Sequence, residues 1–320
     1  MSGDTRSEAQ RRGDHQGEGG VAARLRGPPP GGGAGVLPAP FHQAYLGIVQ
    51  REAQRREHYE VERELAARLR AAPREERLRL YAALYDELYR RVPHHPQRAT
   101  PSSAAETARA VRREIAVLRP FLSPTSTFLE LGPGACALSL AVSPLVARVW
   151  AVDVTDALVP PPPHPPGFAF VRSDGCSVPV PPGSVNVAYS HQVLEHLHPE
   201  DALAQLVSTR DALAAGGVYL CVTPNRLSGP HDVSRGFDPV ATGFHLKEYT
   251  ASELQALLLA AGFARVEALV GARGRFVRVP VAAVVPCERA LQAIPTAFAR
   301  PLARSAPFRA LLGLRLVAFR

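Results

Sequence analysis

The chain has 320 residues, 46% of them hydrophobic, and 37 Lys plus Arg against 29 Asp plus Glu give a net charge of +8. No apolar run reaches the ~18 residues of a membrane-spanning helix. Residues 1–20 are polar and charged rather than an apolar leader. These features exclude an integral membrane protein and lead to the expectation of a soluble, cytoplasmic one.

Cys136, Cys176, Cys221 and Cys287 are widely spaced, with no Cys-x-x-Cys pair and no matching His spacing. They read as buried free thiols, and no metal centre is expected. Lys247 is the only lysine, so the positive charge is almost entirely Arg. Such composition fits a GC-rich genome as readily as a polyanionic partner. Its placement is more telling, because residues 273–320 hold nine Arg and a single acid, Glu288, an excess equal to that of the whole chain.

Residues 1–40 are rich in Gly, Pro, Arg and Glu and read as a disordered tail. From 41 to about 92, Leu65, Leu69, Leu78, Tyr81, Leu84, Tyr85, Leu88 and Tyr89 recur at three- and four-residue intervals, which predicts two or three amphipathic helices. His94-His95-Pro96 interrupts them. Another helix is predicted over 103–118, closed by Pro120 and Pro124. Residues 41–119 are thus a helical extension or lid.

Beyond residue 120 the texture changes to short apolar runs at 128–131, 149–152, 168–171, 185–189 and 218–222, with a helix over 199–213. This alternation predicts an α/β domain with a parallel sheet covered by helices on both faces. A helix over 251–261 ends at Gly262, a strand follows at 265–270, and 312–319 reads as a last strand. The Arg-rich stretch of about 279–310 is then a helical insertion before that strand.

One turn carries chemistry. In Phe128-Leu129-Glu130-Leu131-Gly132-Pro133-Gly134-Ala135-Cys136-Ala137 an apolar strand runs into glycines and then a helical stretch. Glycine allows the sharp turn and a close approach of backbone to ligand. Gly132, Gly134 and Ala137 also satisfy the dinucleotide-binding pattern, and Asp153 lies about 20 residues on, where an acid would hold a ribose diol. Alone, the turn fits a nicotinamide-dependent oxidoreductase nearly as well. Three further features separate the readings: Glu130 before the glycines, Asp174-Gly175 after the third strand, and Ser190-His191-Gln192-Val193-Leu194-Glu195-His196-Leu197 after the fourth, with Gly216-Gly217 before the fifth.

With that set, the sequence resembles the class I S-adenosylmethionine-dependent methyltransferases over residues 118–276. Thr223-Pro224-Asn225-Arg226 and Gly243-Phe244-His245-Leu246-Lys247-Glu248-Tyr249-Thr250 resemble the small-molecule and glycan branch that carries a Leu-Glu-His-Leu signature. One departure is Cys136, which stands where a third glycine is often found. The resemblance implies a Rossmann-like, seven-stranded, mostly parallel sheet in a domain of residues 120–320, and S-adenosylmethionine as cofactor. Its implied site is Glu130, Gly132, Gly134, Asp153, Val154, Asp174, Gly175, His191 and Gln192. Asp153 would accept from both ribose hydroxyls, backbone N–H groups around Gly134 would face the methionine carboxylate, Glu130 would lie near the amino-acid end, and Asp174 would read the adenine edge. Plainer roles remain: Asp174 as a turn residue, Glu130 as a solvated strand end.

Methyl transfer from a sulfonium is an in-line displacement, so the protein must position a nucleophile and exclude water, and needs a base only for a protonated acceptor. His245 and His231 lie in loops after the fifth strand, on the edge where open α/β sheets hold ligands, and are the candidate catalytic bases. His191 and Asp232 share that edge. His196 is expected to order its loop, Glu195 to bind backbone, and Lys247 to be a surface or helix-start residue. The expected acceptor is a small molecule or glycan, methylated on oxygen. An inactive cofactor-binding partner subunit is the alternative from another class. Nucleic acid is disfavoured, since no Asn/Asp-Pro-Pro-Tyr/Phe motif is present. Residues 279–310 could face an anionic acceptor, contact a membrane surface peripherally, or be a solvated basic face.

Overall fold

A computed structural model describes residues 39–95, 103–272 and 274–320, with side chains from Gln50 onward. The expected tail falls outside the described residues up to residue 38. Contacts divide the chain at Val49/Gln50, and the sheet and site lie in the unit 50–320.

The extension contains two helices, α1 (Ala39–Ala71) and α2 (Arg74–Arg91), and α3 (Ala104–Leu118) follows. Pro73 separates the first two. The α3 start is fixed by a capping box, Ser103 and Glu106 each accepting from the other's backbone N–H. Thr250 and Glu253 do the same for α6 (Ala251–Ala260). Gly262 takes φ +90° just past that helix, the left-handed geometry foreseen for its end.

The sheet has eight strands in the order β3-β2-β1-β4-β5-β8-β6-β7. They are β1 (Thr127–Leu131), β2 (Arg148–Asp153), β3 (Phe168–Arg172), β4 (Val185–His191), β5 (Leu213–Val222), β6 (Arg265–Ala272), β7 (Arg275–Pro280) and β8 (Arg315–Phe319). The first five pair in parallel, whereas β8 runs antiparallel between β5 and β6. The Rossmann-like, mostly parallel sheet is therefore as expected, but the count of seven is corrected to eight. The added strand is β7, which pairs antiparallel with β6. Arg275-Phe276-Val277-Arg278-Val279 carries no two-residue period, because its half-buried positions, Phe276 and Val279, are three residues apart, so the pattern that marks the other strands is missing here. The insertion therefore opens with a strand, and α7 (Val285–Gln292), α8 (Thr296–Ala303) and α9 (Ala306–Leu312) follow it.

Side-chain alternation along the strands feeds two cores. Leu129, Leu131, Val152 and Ala188 join Leu65, Tyr81, Leu84 and Leu88 of α1 and α2 on one face. Phe128, Val149, Val187 and Tyr189 pack with Leu118 of α3 and with Leu138 and Val142 of α4 (Ala137–Val142) on the other. The extension from Gln50 on thus shares the sheet's own core. Its main polar anchor is Arg77 of α2, whose Nε donates to Oδ2 of Asp201 at 2.6 Å and Nη2 to Oδ1 at 3.1 Å, with Tyr81 donating to Oδ2 at 2.7 Å. Asp201 lies in the first turn of α5 (Pro199–Ala212), where an acid also favours the helix dipole.

Candidate functional site

Strand order reverses between β1 and β4, and the crevice outside the carboxyl ends of such strands is where open α/β sheets bind ligands. Two loops meet there. In the turn after β1, Gly132, Gly134 and Cys136 all adopt left-handed φ, +65°, +52° and +57°. Cys136 thus holds the conformation a third glycine would take, at a cost of roughly 1–2 kcal/mol for a residue with a Cβ. Gly132 has no room for a side chain, because a Cβ would overlap Val193 in the loop after β4. A Cβ at Gly134 would meet no atom within 4 Å, so this part of the turn borders open space.

Asp153 ends β2 beside that space. Its Oδ2 accepts from the Gly134 N–H at 3.1 Å and its Oδ1 from the Val154 N–H at 2.7 Å. Burial nevertheless holds the carboxyl above its ordinary range, the backbone donors only partly offsetting it. Glu130 is buried at the end of β1 and accepts from Ser139. Burial, with the nearby Glu114 charge, pushes its carboxyl up to about 7. It is therefore no solvated strand end. His191, at the end of β4, is exposed and pairs through Nδ1 with Glu114 at 3.0 Å, while Gln192 follows with φ +58°.

After β3, Asp174 turns back on its own loop. Its Oδ1 accepts from the N–H groups of Cys176 and Ser177 at 2.8 and 2.6 Å, and its Oδ2 from the Ser177 hydroxyl. Although burial acts upward, these donors hold the carboxyl below its ordinary range. Gly175, at φ +88°, packs against Val154 and Tyr81, and its carbonyl accepts from Gln205 at 2.6 Å. Asp174 is thus a turn-forming residue whatever else it binds.

A second constellation lies in the loops after β4 and β5. His245 Nδ1 sits 2.8 Å from Glu248 Oε1, so Nδ1 carries the proton and Nε2 is left as the acceptor. Burial alone would lower this imidazole's pKa, but the Glu248 hydrogen bond and the charges of Glu195, Glu248 and Asp232 raise it above its ordinary value. The same Glu248 oxygen accepts from the His231 N–H at 2.7 Å. His231 Nε2 lies 2.9 Å from the Ser228 hydroxyl and 3.2 Å from the Asn225 carbonyl, and burial lowers its pKa. The two candidate histidines therefore share one carboxylate.

His196 is different in kind. Burial pushes it down to about 3, so it is neutral, and its Nδ1 lies 3.1 Å from the Phe244 carbonyl and from the Tyr85 hydroxyl. It ties the loop after β4 to the His245 loop. Glu195 accepts from Thr223 through Oε2, while its Oε1 is buried without a hydrogen-bond partner among the described residues. Ligating atoms of Glu195, His196 and His245 lie within 4.8 Å of one another, a convergence that the linear spacing did not suggest.

Sequence reasoning missed the residues that hold this loop. Arg70 of α1 donates to the carbonyls of Thr242, Gly243 and His245 at 3.0–3.2 Å. Glu62 accepts from the Phe244 N–H at 2.8 Å and pairs with His58. Apart from the local His58–Glu62 pair, these contacts join residues more than 170 positions apart, and only the position of Arg70 and Glu62 on one side of α1 hinted at a shared target.

A family model described as a methyltransferase domain matches residues 103–268. The chain belongs to that family. A probable S-adenosylmethionine-dependent methyltransferase of Mycolicibacterium smegmatis is 34% identical over 140 residues, covering 42% of this chain and 51% of that protein. One from Mycobacterium tuberculosis is 27% identical over 197 residues, covering 54% and 69%. The chain spans about half the length of the first of these curated relatives. A solved S-adenosylmethionine-dependent methyltransferase structure from Archaeoglobus fulgidus gives a TM-score of 0.43 at 18% identity, covering 75% of this chain and 100% of that one. The family is the class I S-adenosylmethionine-dependent one, and S-adenosylmethionine is its cofactor. Among the described residues no helix is long and apolar enough to cross a membrane.

Proposed function

We propose that the protein transfers the methyl group of S-adenosylmethionine to a hydroxyl of a small-molecule or glycan acceptor, with His245 as general base. The observation that carries this reading is the buried His245–Glu248 pair, 2.8 Å apart. A carboxylate on Nδ1 fixes the tautomer and leaves Nε2 to take a proton, the arrangement of an oriented general base.

The residues at the turn suit the cofactor. Asp153 is a half-buried carboxylate held by two backbone N–H groups with no cationic partner among the described residues, and two ribose hydroxyls would supply further donors. Gly134 leaves its flank open for the amino-acid portion. Glu130, raised by burial beside Glu114, would be relieved by the cofactor's ammonium group. Val154, Gly175 and the Asp174 loop lie on the adenine side of Asp153 in this reading, and His191 and Gln192 line the opposite rim. When bound, the cofactor supplies an electrophilic methyl carbon. The protein's part is to hold the acceptor oxygen in line, to accept its proton at His245 Nε2, and to keep water out with the loop that Arg70 and Glu62 clamp. In this reading α1 and α2, in residues 50–91, form the acceptor-side cover of a domain that comprises residues 120–320.

Methylation rates of His245→Ala and His231→Ala with a hydroxyl acceptor test the assignment. A fall of about 10²–10⁴-fold in kcat for His245→Ala is expected of a lost general base, with a smaller fall for His231→Ala. Wild-type rates in both would overturn it, and failure of the purified chain to bind S-adenosylhomocysteine would overturn the cofactor site.

A further inference from the structure

The helices α7 to α9 have their own small core, in which Leu291, Ala299, Ala303 and Leu312 are buried against Leu227, Cys287, Phe308 and Leu311. The outer side of that cluster is also apolar. Phe298 is 71% exposed, the highest value of any large apolar side chain among the described residues, with Leu302 at 41% and Ile294 at 39%. Phe298 and Leu302 are one turn apart on α8, so they share a face that the buried Ala299 and Ala303 do not. Residues 292–298 are exposed without interruption.

Charge along this stretch of the chain has one sign. No charged residue occurs from 290 to 299, and from Arg289 to Arg320 every charged residue is an Arg. Arg289 and Arg309 are exposed. Arg300 donates to the Pro239 carbonyl, and Arg304 to the carbonyls of Ser228 and Gly229 at 2.8 and 3.1 Å, so neither is neutralised by a hydrogen-bonded carboxylate. A solvated basic face would not need an exposed Phe, Leu and Ile together at its centre. A nucleic acid would use the arginines but offers nothing to Ile294 and Leu302. An anionic bilayer matches both features: apolar side chains enter the boundary between headgroups and acyl chains while arginines meet phosphates.

We propose that the α8 tip is a docking wedge for an anionic lipid surface, inserting Phe298, Leu302 and Ile294 and laying Arg289, Arg300 and Arg309 on lipid phosphates. Arg304 connects this wedge to the Ser228–Gly229 backbone, next to His231. The proposal stands apart from the methyl-transfer reading.

Cosedimentation of the full chain with vesicles of phosphatidylcholine, alone and with phosphatidylglycerol, tests it at low and physiological salt. Binding is expected only to the anionic vesicles, weakening with salt, and falling at least about tenfold in Phe298→Ser/Leu302→Ser and in Arg289→Glu/Arg309→Glu. All four positions are exposed, so the variants should keep the wild-type melting temperature, which is checked alongside. Phe298→Trp supplies a direct readout: quenching of its added fluorescence by brominated acyl chains is expected. No binding to anionic vesicles at low salt, undiminished binding of the Phe298→Ser/Leu302→Ser variant, or no quenching would each overturn the proposal. So would self-association, or binding to duplex DNA, that needs Phe298 and Leu302 while lipid binding does not.

Discussion

Gly132 and Val193 touch across the point where the strand order reverses, with the Val193 side chain filling the space a Gly132 Cβ would need. Left-handed φ at Gly132 adds a second barrier to any side chain. Gly132→Ala should therefore lower stability by about 1–3 kcal/mol and push the loop after β4 away from the turn. Thermal unfolding is expected to shift down by about 2–4 °C per kcal/mol for a chain of this size. A melting temperature equal to wild type would show that the two loops do not meet as described.

Asp153→Asn separates folding from cofactor binding. The raised carboxyl means that ionisation costs more in the folded than in the unfolded protein, so the neutral amide, although it keeps only one of the two acceptor oxygens, should change the stability of the cofactor-free chain little. Binding should weaken, because the amide loses the charge-assisted hydrogen bonds to a diol, and a loss of about 1.5–3 kcal/mol corresponds to a ten- to hundredfold weaker Kd for S-adenosylhomocysteine. Calorimetric titration together with a melting curve measures both. Tight binding by the variant would remove Asp153 from the site.

Glu130 makes cofactor-free stability depend on pH. Its carboxyl, ordinarily near 4.5, is raised to about 7 by burial and the Glu114 charge. A raised acid contributes most stability at low pH, where it is protonated in both states, and loses it as pH climbs from 4.5 through 7. The stability difference between Glu130→Gln and wild type should therefore grow in favour of the variant over that window, up to about 3 kcal/mol. Urea unfolding of both proteins at pH 5 and pH 8 checks this. A constant difference would mean that Glu130 titrates normally.

Arg77 and Asp201 form a buried ion pair that fastens α2 to the start of α5. Removing Arg77 leaves Asp201 desolvated, so Arg77→Ala should destabilise by about 3–5 kcal/mol. Against the upward push of burial, Arg77 and Tyr81 hold the Asp201 carboxyl below its ordinary range. Its stabilising contribution is present above that range and lost as pH falls through the lowered value. In a double-mutant cycle of Arg77→Ala and Asp201→Asn, the combined loss should be clearly smaller than the sum of the single losses. Additive losses would show no direct coupling.

What could be read in the sequence was local. The strand-turn-helix at Glu130 to Ala137, the acid at Asp153 and the starts of α3 and α6 are encoded within a few residues, through glycine geometry, buried alternation and reciprocal capping. The eighth strand was not encoded this way: its half-buried positions, Phe276 and Val279, are three residues apart, and its arginines stand beside the Arg-rich segment, so no two-residue period marks it. Asp174 carries a motif position that says nothing of how fully its own loop uses the carboxylate. Arg70, Glu62, Tyr85 and Arg77 were out of reach for a different reason: each satisfies a partner more than 100 residues away, and a helix's polar positions look alike until the fold shows which ones are buried.

The His245–Glu248 pair makes the last prediction, on the pH dependence of the rate. Burial lowers an imidazole's pKa, and here the Glu248 hydrogen bond with the charges of Glu195, Glu248 and Asp232 reverses that effect. A base must be unprotonated to act, so kcat/KM should rise with pH through a value above the ordinary imidazole pKa of about 6.5. Glu248→Gln keeps an oxygen available for Nδ1 but removes a negative charge. Desolvation should then prevail, and the rising limb should move to lower pH even as the maximal rate falls. Asp232→Asn should shift the limb in the same direction by less, since Asp232 acts only through its charge and is the last of the contributions. A limb that stays in place in both variants would mean that His245 is not the group whose proton is lost, and would transfer the search for the base to His231, whose lowered pKa predicts a limb below 6.5.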